Sequence, residues 1–209
     1  MSVTKAKRSR FSPATKFAMG GAFIASIAMW GAIYYFLPPI SGMESIDARL
    51  VFTLKCLCFA VLFCFLSGIE AISHERLQTD AFDPLAGHET RCLKVNLRYL
   101  QNTLEQLILF VPGLLGLSIY CADGSSMRAV VAATALWIVS RFVFWIGYHR
   151  GSLYRVFGLV GMPQSMILLL FVCSRFGNEI GGLVGAFVPI LLFIVIEVFL
   201  VIKTRPAKA

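Results

Sequence analysis

Six apolar runs, separated by short polar or glycine- and proline-bearing segments, set the rhythm of this chain. The first extends from Lys16 to Leu37 and stops at Pro38-Pro39. The second, Arg49–Ile72, gives way near Glu70 to the polar stretch SHERLQTDAFDPLAGHET, broken at Pro84. The third, from Thr90 to Cys121, contains Pro112 and Gly113, which predict a kink that neighbouring helices can tolerate in a membrane. The turn ADGSS leads to the fourth run, Met127–Tyr148, and the basic connector HRGSLYR leads to a shorter fifth, Val156–Ser174. RFGNE precedes the sixth, Ile180–Ile202. Crossing a bilayer takes roughly 20 apolar residues, so the pattern predicts an all-α integral membrane protein with six spans. Residues 1–16 are basic and polar, and no fixed structure is expected of them. A cleaved signal peptide would have a shorter core and a small-residue cleavage site, so the first run reads as an uncleaved anchor helix.

Composition agrees with that pattern. Of 209 residues 58% are hydrophobic and 14% charged, values of the membrane class, with no room for a sizeable soluble domain. The net charge of +8 does not point to nucleic acid, because the cations sit in short runs between apolar segments. With six spans and a cytoplasmic N-terminus, fourteen Lys and Arg residues fall inside, three (Arg49, Arg128, Arg175) fall outside, and Lys55 and Arg141 lie within spans. This asymmetry predicts that both termini are cytoplasmic. The six cysteines show no CxxC spacing and read as small packing residues. His74, His88 and His149 lack metal-ligand spacing, so no metal site is expected. There is no phosphate-binding loop, dinucleotide fingerprint or GxSxG element.

Polar side chains inside apolar runs are the candidate chemistry, because each costs a few kcal/mol in lipid unless paired or wetted. Arg98, Asn102 and Glu105 stand at i, i+4 and i+7, one stripe of a helix entering from the cytoplasmic side. The fourth run ends at the same side with Arg141, Tyr148, His149 and Arg150, and Arg155 follows. A tight turn joins these two runs, so their polar ends meet and form an arginine-rich pocket suited to a small anion. For Arg141 and Glu105, pairing with each other and contact with a ligand both stay open. Gly177, Gly181 and Gly185 recur every four residues and read first as close helix packing within the chain, second as a subunit contact.

Two of these stretches resemble the MAPEG superfamily, the membrane-associated proteins in eicosanoid and glutathione metabolism. They are Arg98-Tyr-Leu-Gln-Asn102-Thr-Leu-Glu105 and Arg141-Phe-Val-Phe144-Trp-Ile-Gly147-Tyr148-His-Arg150, with Arg155 five residues on. The resemblance implies a four-helix domain over 49–175, preceded by a basic segment (1–16) and an extra anchor helix and loop (17–48). An extra C-terminal helix and tail (176–209) would follow. It implies a homotrimer holding glutathione near the cytoplasmic surface, with Arg98, Asn102, Glu105, Arg141, Tyr148 and Arg150 as binding residues. Arg155 matches the arginine that stabilises the glutathione thiolate. Phe144, Gln106 and Leu100 depart from the family's common polar residues, and each lost hydrogen-bond partner weakens polar binding by about 1 kcal/mol. ARLVFTLKC, AFDPLAG and SRFVFWIGYHRG are similar to the mattrin-like branch. That branch implies an endoplasmic reticulum or other secretory-pathway membrane, and a role in trafficking or turnover of Frizzled-type receptors. The alternative is a glutathione-dependent transferase or peroxidase acting on lipophilic electrophiles.

Overall fold

The computed structural model describes residues 13–151 and 154–204, with side chains for all of these except 13–16 and 155–157. Six α-helices carry the fold: α1 (Pro13–Phe36), α2 (Ile46–Ala60), α3 (Ser67–Gln78), α4 (Arg91–Tyr120), α5 (Arg128–Arg150) and α6 (Gly161–Lys203). A π-helical turn, Val61–Leu66, joins α2 and α3 into one rod, so the second element runs on past Ile72 into the expected polar loop. A 3-10 turn, Tyr154–Val160, connects α5 to α6.

Starts and stops follow from local chemistry. Ser45 caps α2 by accepting the Ala48 N–H, and Asp47 places a negative charge in its first turn. Thr90 caps α4 by accepting the Leu93 N–H, while its own hydroxyl donates to the Glu75 carboxylate and ties α4 to α3. α4 continues through Pro112 with helical backbone on both sides.

Five helical stretches among the described residues are long and apolar enough to cross a membrane, where the sequence pattern predicts six. The difference lies in the last one. The fifth and sixth runs form the two arms of the 43-residue α6, counted as one stretch although helical geometry breaks at Gly181 (φ −129°, ψ 21°) and Gly182 (φ 59°, ψ −149°). Those two residues reverse the chain. Ser174 Oγ donates to the Ala186 carbonyl at 2.9 Å, whereas twelve residues of unbroken helix would separate them by about 18 Å. A side chain on Gly177 would strike the Gly185 carbonyl, and the reverse is also true. Gly177 and Gly185 therefore serve contact between the two arms of α6, while Gly181 lies in the reversal itself.

The core lies where α2, α4 and α5 meet. Phe110 stacks on Trp137 with ring centroids 5.0 Å apart, and Leu57, Ala60, Leu114, Met127, Val130 and Ala133 close around them. Small residues bring α6 against α4: a Cβ on Gly116 would lie 2.6 Å from Val172, and one on Gly113 would lie 3.0 Å from Leu168. At one end of the bundle two arginines bind loops together. Arg49 donates to the carbonyls of Met43, Glu44 and Ala122, and Arg128 donates to those of Leu37 and Ser125. The candidate polar stripe lies at the other end.

Candidate functional site: a polar pocket between α4 and α5

The first half of α4 and the last turns of α5 enclose a small open pocket of 230 Å³ lined by Arg98, Gln101, Asn102, Glu105, Phe144 and Tyr148. Three consecutive polar side chains on α4 are linked: Arg98 donates to Gln101 Oε1, and Gln101 Nε2 donates to Glu105 Oε1, each at 3.2 Å. Gln101 is thus a pocket residue that the spacing argument missed. Its i+3 and i−4 relations to Arg98 and Glu105 put it on the same face, and that signal was present in the sequence. Across the pocket Phe144 and Tyr148 stack at 5.6 Å, one turn apart on α5.

Arg141 sits behind the pocket instead of in it. Its side chain is 1% exposed, and its guanidinium donates to Asn102 Oδ1 and to the Gly158 carbonyl, both at 2.8 Å. Its charge also lies over the Phe144 ring, 5.0 Å from the centroid. Of the alternatives left open for Arg141 and Glu105, the pair is not formed: Glu105 is exposed and bonds Gln101, and Arg141 bonds Asn102 and Gly158. Two neutral acceptors and an aromatic face take the place of a counter-ion. Gly158 makes this possible, since a Cβ there would collide with the Phe144 backbone and push the 3-10 turn off α5. The consequence for the pocket is orientational. With Oδ1 of Asn102 held by Arg141, the amide presents its NH₂ donors on the other side.

A second network stands beside the site. Tyr99 is fully buried, stacks on Trp145 at 4.6 Å, and donates its hydroxyl to the Cys64 carbonyl at 2.9 Å. Cys64 belongs to the π-turn, whose i→i+5 pattern leaves carbonyls turned out of the usual ladder. Asn96, also buried, accepts from Trp145 Nε1 at 2.9 Å and bonds His149 Nε2 at 3.0 Å. Asn96 Oδ1 can only accept, so His149 carries its proton on Nε2. These contacts lock the registry of the π-turn, α4 and α5 beside the pocket.

The remaining expected residues divide. Arg150 is exposed at the last position of α5 and does not line the pocket. The side chain of Arg155 lies outside the described residues. Of the three departures from the family's polar pattern, Phe144 alone forms the pocket wall. Gln106 turns inward and is 5% exposed, and Leu100 lines a different groove.

The sequence profile of the MAPEG family matches residues 50–175, more than half of the chain, and that match contains every lining residue of this pocket. The chain belongs to the MAPEG family. Among relatives, it is 27% identical to Transmembrane protein 79 of Bos taurus over 155 residues, 73% of this chain and 38% of that protein. It is 28% identical to Transmembrane protein 79 of Mus musculus over 149 residues, 71% of this chain and 37% of that protein. An uncharacterised protein of Synechocystis is 36% identical over 75 residues, 35% of this chain and 52% of the relative. The chain therefore spans well under half the length of the two mammalian proteins. No solved structure matches it. MAPEG membership and the apolar helices make this an integral membrane protein, with Transmembrane protein 79, or mattrin, as its similar branch.

Proposed function

We propose that this MAPEG protein retains a glutathione-binding site without the full catalytic apparatus, and works as a mattrin-like membrane protein through its partners. One observation carries the reading: Arg98, Asn102, Glu105 and Tyr148 converge on one pocket at one end of the bundle. Glutathione bears two carboxylates and an ammonium. Arg98 and the Asn102 amide supply donors for a carboxylate, and Glu105 supplies an acceptor for the ammonium. At 230 Å³ the pocket is smaller than the roughly 300–1,000 Å³ usual for ligand sites. A neighbouring copy would supply the missing wall, which is the family's trimeric arrangement.

Turnover is the weaker half of the comparison. Phe144 gives the wall a ring face with no hydroxyl to donate to a thiolate. Arg155, on the 3-10 turn after α5, is the residue proposed to hold the thiolate. The orientation proposed places the α4–α5 pocket in the cytoplasm and Arg49, Arg128 and Arg175 opposite, in an endoplasmic reticulum or other secretory-pathway membrane. Trafficking or turnover of Frizzled-type receptors is the partner-level proposal, supported by the likeness to Transmembrane protein 79.

The test is thermal stability of the detergent-purified protein with glutathione, run alongside turnover of a generic electrophile. Stabilisation that is lost in Arg98→Ala, with no turnover, is the expected result. Absence of any glutathione effect at millimolar concentration would remove the retained site, and rapid turnover would favour the transferase or peroxidase reading.

A further inference from the structure

A second groove, of 660 Å³, opens on the other side of the α4 stripe, between α4 and the π-turn. Its lining combines the polar Glu89, Lys94, Arg98 and Gln101 with the apolar Phe65, Leu97, Leu100 and Leu104. Lys94, Arg98, Gln101 and Leu104 follow one another at helical spacings of four, three and three, so they share a face of α4. From Lys94 to Leu104 the helix rises about 15 Å, half of the roughly 30 Å hydrocarbon core and so the depth of one leaflet.

Neither cation is neutralised by the described residues. Among the described residues Arg98 gives a single hydrogen bond, to the neutral Gln101, and no carboxylate lies within ion-pair distance of Lys94 or Arg98. Both side chains are exposed, as is Glu89. Two cations with no carboxylate partner among the described residues, one carboxylate and apolar side chains along a face of leaflet length complement a molecule with a phosphodiester, an amine and an acyl chain. We propose that this groove seats one ethanolamine-type phospholipid. Its phosphodiester lies on Lys94 and Arg98, its ammonium on Glu89, and an acyl chain along the leucines. The three charges of the groove then each meet their opposite. A choline headgroup fills the groove less well, because a quaternary ammonium cannot donate a hydrogen bond to Glu89.

Arg98 borders both the groove and the polar pocket, but Lys94 and Glu89 border the groove alone. The experiment therefore uses those two. Thermal midpoints of the full chain in detergent would be followed against added phosphatidylethanolamine, phosphatidylcholine and phosphatidylglycerol, with soluble phosphoethanolamine as the headgroup control. Phosphatidylethanolamine is expected to stabilise most and the soluble headgroup not at all. Lys94→Gln should weaken the apparent phosphatidylethanolamine affinity roughly tenfold, the cost of one charge-assisted bond. Glu89→Gln should erase the preference over phosphatidylcholine, and neither variant should change the response to glutathione. Equal stabilisation by the three lipids, or an unchanged affinity in Lys94→Gln, overturns the proposal. So does a lipid-independent change of oligomeric state in Lys94→Glu, which would mark the groove as a contact between copies.

Discussion

Arg141 carries a guanidinium into the bundle with no carboxylate to meet it, and the residue-scale energetics of the site turn on how that is tolerated. Its bonds go to Asn102 and the Gly158 carbonyl, with the Phe144 face beneath. Arg141→Met should remove both donors, leave two buried acceptors unbonded, and cost about 2–4 kcal/mol of stability in a detergent melt. Arg141→Lys should fall between, because a single ammonium cannot reproduce a two-pronged fork. Loss of glutathione binding should follow in both, since the Asn102 amide would no longer be held. Phe144→Tyr tests the opposite direction. It places a hydroxyl in the pocket wall, and about 1 kcal/mol of added hydrogen bonding should tighten glutathione binding roughly fivefold by calorimetry. An unchanged affinity would show that the ring does not face the ligand. The sequence made Arg98, Asn102 and Glu105 visible through spacing alone. Arg141 was visible as a buried charge, but its partner was not, because the rotation of α5 against α4 decides whether Glu105 or Asn102 comes within reach.

At the scale of elements, the reversal in α6 rests on two glycines. Gly182 has φ 59° and ψ −149°, a region that is essentially glycine's alone, where a Cβ costs on the order of 1–3 kcal/mol. Gly182→Ala should lower the melting temperature, and Gly177→Leu should do more, because its side chain would drive apart the two arms at the Gly185 contact. Cysteine cross-linking between positions 174 and 186 would check the arms directly: their efficient bridging is expected in the parent background and its loss in Gly177→Leu. The turn between α4 and α5 gives a pH dependence. Asp123 accepts from the Ser126 backbone N–H and from its hydroxyl, and these bonds hold its carboxyl below the usual carboxylate range. A folded value lowered in this way contributes stability above the unfolded pKa of about 3.9, lost as pH falls through the folded value. Asp123→Asn should flatten the acid limb of the stability curve. The six apolar runs were plain from hydropathy, whereas the folding back of the last two on each other at Gly181 and Gly182 was not. Hydropathy reports length and polarity, and carries no term for the direction in which a glycine pair turns the chain.

For the whole molecule, the arrangement of charge makes an orientation prediction. Arg49 and Arg128 bind the loops at one end, and the Arg98–Asn102–Glu105 stripe enters from the other. Membrane-impermeant thiol labelling of single-cysteine variants at Lys94 and Asp123 should give opposite accessibilities, with Lys94 facing the cytoplasm. Labelling of both from one side would refute the proposed topology. By itself the sequence determined that this chain lives in a bilayer, where its apolar runs lie to within several residues, and which family it resembles. Those properties depend on composition, periodicity and spacing, all of them local along the chain. Tertiary structure alone decided that Arg141 supports the pocket from behind and that Lys94 faces a separate groove. Each of those outcomes depends on how helices rotate and approach one another, which is set by contacts such as Gly158 on Phe144 and Gly116 on Val172 between residues far apart in sequence.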